Sequence, residues 1–160
     1  MQYADAVQVI RRIPILARLD PAMQKLLAFS STYLVFQPGE LLCRDGEPSD
    51  AAYLIDDGEV EILLAIGATE VVLGRQGRNQ LFGEMGIFCN RPRAASVRAV
   101  GLVKVLKIEA EVFLRAVTGN PDAALAVMRV LSEKLSAMTE TYRRGPRWPA
   151  QPMAGDGDRS

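Results

Sequence analysis

Residues 82–99 read FGEMGIFCNRPRAASVRA, and this stretch decides how the chain is understood. Gly83 lets the backbone approach a ligand closely, and residues 84–88 can form one helical turn whose unsatisfied N–H groups attract an anion. Pro92 is expected to end that turn. Arg93 supplies a permanently charged, planar donor fork that matches two phosphate oxygens at once, which the point charge of a lysine does not. Ala94 and Ala95 are small enough to leave room beside the guanidinium, and Ser96 offers a hydroxyl at the same wall. Taken singly, Glu84 and Arg93 read as an ordinary ion pair of small value between a turn and a strand. An arginine set among Pro92, Ala94 and Ala95 and followed by Val97 is harder to explain as surface. The combined pattern predicts a site for a small phosphate ester formed by Phe82, Gly83, Glu84, Met85, Gly86, Arg93, Ala94, Ala95 and Ser96.

On the N-terminal side, from Thr32 onward, come short β-rich runs: YLVF, LLCR, AAYLI, VEILLAI and VVLG. PGE, DGEPSD, DDGE and GATE separate them as turns, with Gly39, Gly46 and Gly58 where a positive φ is needed. On the C-terminal side, residues 96–100 and 102–108 read as two more strands. The β-rich part thus reaches about eight strands, and a mainly β, antiparallel jelly roll with flanking N- and C-terminal helices is expected. Helices are predicted over 4–12 and 20–30, the second opened by Asp20-Pro21 with Met23, Leu26 and Leu27 on one side. A short helix follows over 109–117. Asn120-Pro121-Asp122 then starts a longer one reaching about Arg143, in which Ala124, Met128, Leu131, Leu135, Met138 and Tyr142 form a heptad stripe. Packing on the barrel is the default expectation for that stripe; dimerisation and covering a ligand are the alternatives. Residues 145–160, GPRWPAQPMAGDGDRS, read as a disordered tail in which Trp148 is either a partner anchor or idle. The chain therefore divides into a single domain over 1–144 and the tail.

Residues 82–97 resemble the phosphate-binding cassette of the cyclic nucleotide-binding domain, the module of protein kinase A regulatory subunits, nucleotide-gated channels and catabolite activator type regulators. Gly83, Glu84, the apolar 85–88 stretch, Pro92, Arg93, Ala94, Ala95, Ser96 and Val97 fall at that family's spacing without insertion or deletion. Phe36, Gly39, Gly46, Tyr53, Ile55 and Gly58 extend the match, so that it covers roughly 16–135. The resemblance implies that Arg93 binds the cyclic phosphate and that Glu84 accepts the ribose 2′-hydroxyl. It also implies cAMP rather than cGMP, because members favouring cGMP often carry threonine where this chain has Ala94. Gly86 departs from the alanine many members carry, a change expected to loosen the short helix by roughly 1 kcal/mol.

Length and composition agree with a single such module. A chain of 160 residues with 49% hydrophobic content can bury a core of its own. Its 19 basic and 19 acidic residues cancel, which removes any general attraction to nucleic acid or to an acidic membrane. No apolar run approaches the roughly 20 residues of a membrane span. The N-terminus, MQYADAVQVIRR, lacks the layout of a secretory signal, so a cytoplasmic protein is expected, with Cys43 and Cys89 reduced. Cys89 reads as a small buried hydrophobe in preference to the alternative, a redox-sensitive thiol beside the pocket, and is assigned no role. The absence of histidine excludes a Ser-His-Asp relay, histidine-ligated haem and a cupin-type metal centre, and two cysteines cannot hold a four-thiolate cluster.

Residues 145–160 are too few for a helix-turn-helix module. The expected function is a stand-alone cyclic nucleotide receptor, without a cofactor, that signals to a protein effector. Its C-terminal helix is expected to be drawn to the base-facing mouth of the site, burying Met128 and Leu131. The receptor is expected to be a monomer, or a homodimer through that helix. The alternative is an interaction or structural module that keeps the fold without binding nucleotide. Catalysis is the weakest reading, because the site offers an anion holder and a ribose acceptor but no positioned base, nucleophile or metal ligand.

Overall fold

The structure, a computed structural model, describes residues 3–143. The tail expected over 145–160, Trp148 included, and the side chain of Tyr142 lie outside the described residues. The chain runs α1 (Tyr3–Arg11), α2 (Pro14–Ala17), α3 (Pro21–Ser30), β1 (Thr32–Phe36), β2 (Leu41–Cys43), β3 (Ala51–Asp57), β4 (Val60–Ile66) and β5 (Thr69–Gln76). It continues through β6 (Leu81–Phe82), α4 (Glu84–Cys89), β7 (Ser96–Ala99), β8 (Val103–Glu109), α5 (Ala110–Val117) and α6 (Pro121–Arg143). The strands form two four-stranded antiparallel sheets, in the orders β1-β8-β3-β6 and β2-β7-β4-β5. This is the expected jelly roll. Two elements escape the sequence reading because each is too short to show periodicity: α2, opened by Pro14, and the two-residue β6.

Local chemistry sets the helix starts. Asp20 Oδ1 accepts from the Met23 N–H at 3.1 Å with Pro21 at the first helical position, and Asn120 Oδ1 accepts from the Ala123 N–H at 2.7 Å. The inward face of α3 is not quite the expected one. Leu27 is fully buried, but Leu26 is exposed, and Gln24 and Ala28 take the other inner positions. The buried Gln24 amide is satisfied: its Nε2 donates to the Leu16 and Ala17 carbonyls, and its Oε1 accepts from Arg11 Nε. One polar side chain thereby ties α1, α2 and α3 together.

Two apolar cores flank the sheet that contains β3 and β8. On β3, Ala51, Tyr53 and Ile55 point between the sheets, while Ala52 and Leu54 point at the helices; on β8, Val103 and Val105 oppose Leu106 and Ile108 in the same way. Covered on both sides, these strands need apolar residues at successive positions, which is why AAYLI shows no alternation. The helical core adds Ile10, Ile13, Leu16 and Phe113 with the inner side of α6. Gly39, Gly46 and Gly58 have φ of 85°, 85° and 93°, as their turns require. At Gly58 a side chain is doubly excluded, since a Cβ would also run into the Leu102 carbonyl oxygen.

The second sheet carries an ion ladder. Glu61 on β4 lies opposite Arg75 on β5 and Arg98 on β7, and its two carboxylate oxygens meet Arg75 Nη2 at 3.1 Å and Arg98 Nη2 at 3.0 Å. The hydrogen bond from Arg98, aided by Arg75, holds the Glu61 carboxyl below its ordinary pKa. A carboxyl lowered in the folded state stabilises the fold above its unfolded pKa and loses that contribution as pH falls through the folded value. Glu61→Gln is therefore expected to lower the urea midpoint at pH 7, with the gap to the parent protein closing as the pH is taken down through the carboxylate range. A gap that persists in acid would show that the side chain acts through packing instead.

Candidate functional site

The site grows out of the junction between β6 and α4. Gly83 takes φ 88° as the N-cap of α4, and Asn90, with φ 51° and ψ 51°, ends the helix by donating its N–H to the Gly86 and Ile87 carbonyls. Asn90 rather than Pro92 is thus the terminator, since a left-handed C-cap closes the last turn before the proline is reached. The return segment is then pinned by its backbone. Arg93 N–H donates to the Glu47 carbonyl and the Gly46 N–H donates to the Arg93 carbonyl, both at 2.8 Å.

These bonds aim Arg93 inward, where its side chain is only 4% exposed. Nη2 donates to the Ala51 carbonyl at 2.8 Å and meets Asp50 Oδ1 at 3.4 Å. The guanidinium carbon lies 5.4 Å from the centroid of Tyr53, whose ring stacks on Phe82 at 4.9 Å with 9° between planes. Nη1 lies over Gly83, where a Cβ would collide with it and approach the Ala51 carbonyl to 2.9 Å. The absence of a side chain at Gly83 therefore serves the arginine, and not only the approach of a ligand.

Arg93 lines a cavity of about 320 Å³. Gly83, Met85 and Gly86 from the start of α4 form part of its wall with Phe82, and Ala94 and Ala95 follow Arg93 along another part. Seven of the nine residues expected at the site are brought together. Ser96 and Glu84 are not among its lining residues. The Ser96 hydroxyl accepts from the Asp45 N–H at 2.9 Å and so serves the turn between β2 and β3. Glu84 is buried, with its carboxylate 3.6 Å from Lys134 Nζ on α6. Burial pushes the Glu84 carboxyl above its ordinary pKa, against the opposing pull of its own backbone N–H and of Lys134.

Several wall residues were missed by sequence reading. Cys43, Ile62 and Val97 come from the inner faces of β2, β4 and β7, and their inward direction depends on register. Cys89 also lines the cavity and is exposed, so the expectation of a small buried hydrophobe fails. Both cysteines are free thiols, and burial raises the Cys43 pKa against the lowering effect of Arg93. Ser49 enters the wall because Gly86 admits it: Ser49 Oγ donates to the Arg91 carbonyl at 2.6 Å, in space that a Cβ at Gly86 would occupy. Gly86 thus makes room for a side chain from the opposite loop, beyond its effect on helix propensity.

The heptad stripe of α6 does not face the barrel as a unit. Ala123, Ala126 and Val127 are buried and Leu131 packs on the helical core, whereas Met128, Leu135 and Met138 are exposed. The packed face is rotated from the stripe: α6 packs against α2 and α5 through Ala123, Ala126, Val127 and Leu131, of which only Leu131 belongs to the stripe.

The model of the cyclic nucleotide-binding domain family matches residues 33–120, which include every residue of this cavity, and the chain belongs to that family. It is 36% identical over 106 residues to a cAMP-dependent protein kinase regulatory subunit of Emericella nidulans, covering 66% of this chain and 25% of that protein. It spans about a quarter to a third of the length of the protein kinase regulatory subunits it matches. Among solved structures it resembles the transcriptional regulator DNR from Pseudomonas aeruginosa, with a TM-score of 0.75 and 25% identity over 90% of this chain and 64% of that one. The regulatory domain of Toxoplasma gondii protein kinase A, crystallised with cAMP, shares the fold with a TM-score of 0.71 at 24% identity, over 84% of this chain and 50% of that one.

The contact between Gly86 and Ser49 sets a packing test. Gly86→Ala is expected to lower the thermal midpoint by an amount equivalent to about 1–3 kcal/mol, as overpacking does, although alanine is the better helix former. Adding Ser49→Gly should restore most of the loss in a thermal melt. A Gly86→Ala protein as stable as the parent would show that Ser49 moves aside without cost.

Proposed function

We propose that this chain is a receptor for cAMP whose ligand is held at Arg93 and whose occupancy is read by a partner protein through α6. The observation that carries the reading is the buried guanidinium in the wall of a largely apolar cavity. Its carboxylate neighbour, Asp50, stands at 3.4 Å and is itself 63% exposed, so the cation is incompletely neutralised. A cyclic phosphate would complete it with charge-assisted bonds, and the apolar wall suits a flat base. Ala94 lines the cavity without offering a hydroxyl, which supports cAMP over cGMP. The residues at the wall supply binding groups, so the role is regulatory and not catalytic. We place the receptor in the cytoplasm, as the N-terminal sequence suggests; no helix among the described residues is long and apolar enough to cross a membrane.

The exposed residues Met128, Leu135 and Met138 suit α6 to a protein contact, whether with an effector or with a second copy of the chain. One observation favours the alternative of a module that binds no nucleotide: the Glu84 carboxylate faces Lys134 instead of the cavity. Calorimetric titration separates the two readings. The parent protein is expected to bind one cAMP per chain, more tightly than cGMP, and Arg93→Ala should lose roughly ten- to a hundredfold in affinity, the usual cost of removing a charged hydrogen-bond partner. Equal affinity in the two proteins, or no binding at millimolar cAMP, would defeat the receptor reading.

A further inference from the structure

Glu84 opens α4, the helix that supplies part of the cavity wall, yet its carboxylate is buried against α6 with Lys134 Nζ 3.6 Å away. Lys134 is 58% exposed and sits in a part of α6, residues 132–141, that is otherwise exposed. Its ammonium reaches back to the barrel. Lys134 also lines a second cavity, of about 140 Å³, together with Val130 of α6, Pro14 and Ile15 of α2 and the 76–81 turn. Gln76 and Asn79 line the same cavity, and Gln76 Oε1 and Asn79 Oδ1 are buried without a hydrogen-bond donor. Buried acceptors of this kind favour any donor that can reach them, and an ammonium carries three N–H groups on a flexible stem. Lys134 therefore borders two sets of acceptors: one carboxylate beside the ligand cavity, and two amide oxygens beneath α6.

We propose that Lys134 is a two-position ion that determines how strongly this site reads the sugar of its nucleotide. Paired with Glu84, it holds the carboxylate away from the ligand. When a ribose 2′-hydroxyl donates to Glu84, the ammonium is passed to Gln76 and Asn79. This rests on the cyclic nucleotide reading above. The sugar hydroxyl and Lys134 then compete for one carboxylate, and by linkage whatever weakens the Lys134 contact strengthens binding of a ligand that needs Glu84.

The test is titration of the parent, Lys134→Met, Gln76→Met and the double variant with cAMP and with 2′-deoxy-cAMP. Lys134→Met is expected to bind cAMP roughly two- to fivefold more tightly, the range for a partly exposed ion pair, with little change for the deoxy analogue. Gln76→Met should weaken cAMP binding in the parent background and have no effect once Lys134 is methionine. A Lys134→Met protein that binds cAMP no better, an equal gain for both ligands, or a Gln76→Met effect that survives in the double variant would overturn the proposal while leaving the receptor intact. Failure of the parent to bind either nucleotide would instead remove the receptor reading and the proposal with it. Hydrogen exchange on the protein without nucleotide adds an independent arm. Glu84→Gln should speed exchange of amides 130–141, and unchanged exchange would show that the pair holds nothing in place.

Discussion

The burial of the Arg93 guanidinium is the constraint on which the rest of the site depends. Taking such a cation out of water costs several kcal/mol unless its donors and charge are met. Here the Ala51 carbonyl, the face of Tyr53 and the more distant Asp50 carboxylate share that task. Each comes from the start of β3 or the residue before it. The return segment of the 82–99 stretch and the first residues of β3 are therefore specified together. Tyr53 meets the cation in the required orientation because it stacks on Phe82, and Gly83 must lack a side chain because the guanidinium occupies that space. A cation held by one strong neutral acceptor, one aromatic face and one exposed carboxylate keeps unsatisfied attraction for an anion, and this is what supports the proposal that the cavity beside it binds one.

The double-sided sheet explains why a site of this kind can be connected to helices on the outside of the barrel. β3 delivers Ala51 and Tyr53 to the cavity side and Ala52 and Leu54 to the helical side through the alternation of one strand. Ile87 of α4 belongs to the helical core while Met85 and Gly86 of the same turn border the cavity. Short elements that touch both environments leave little slack between them. Glu84 completes the connection, since it lies on α4 and its carboxylate faces α6. The first turns of α6 are anchored by Ala123 and Val127, whereas its later residues are exposed, so the helix is divided into a packed half and an accessible half.

Much of this was legible in the amino-acid sequence. The turn glycines, the caps at Asp20 and Asn120 and the β-rich runs are local signals, each set by the conformational preference of a few adjacent residues, and the structure places them where those preferences require. That Gly83 and Arg93 share one site was legible as well, because a short segment folding back on itself brings its own residues together, but that the guanidinium fills the space over Gly83 was not. The elements that escaped, α2 and β6, are too short to carry a period and exist only because their neighbours pack or pair with them.

What the sequence determined by itself was the family, the strand pattern and the presence of an arginine beside small residues in the cassette, all properties of contiguous segments. The direction of individual side chains was decided only in the tertiary structure. Ser96 turned to Asp45, Cys89 came to the cavity mouth, and Ser49 filled the space left at Gly86. Glu84 illustrates the reason. Its place at the start of α4 followed from its neighbours in the chain, but whether its carboxylate faces the cavity or α6 depends on Lys134, fifty residues away in sequence and 3.6 Å away in space. A local pattern can place a charged residue on an element; the partner that captures the charge is chosen by packing between elements, and no single segment encodes it.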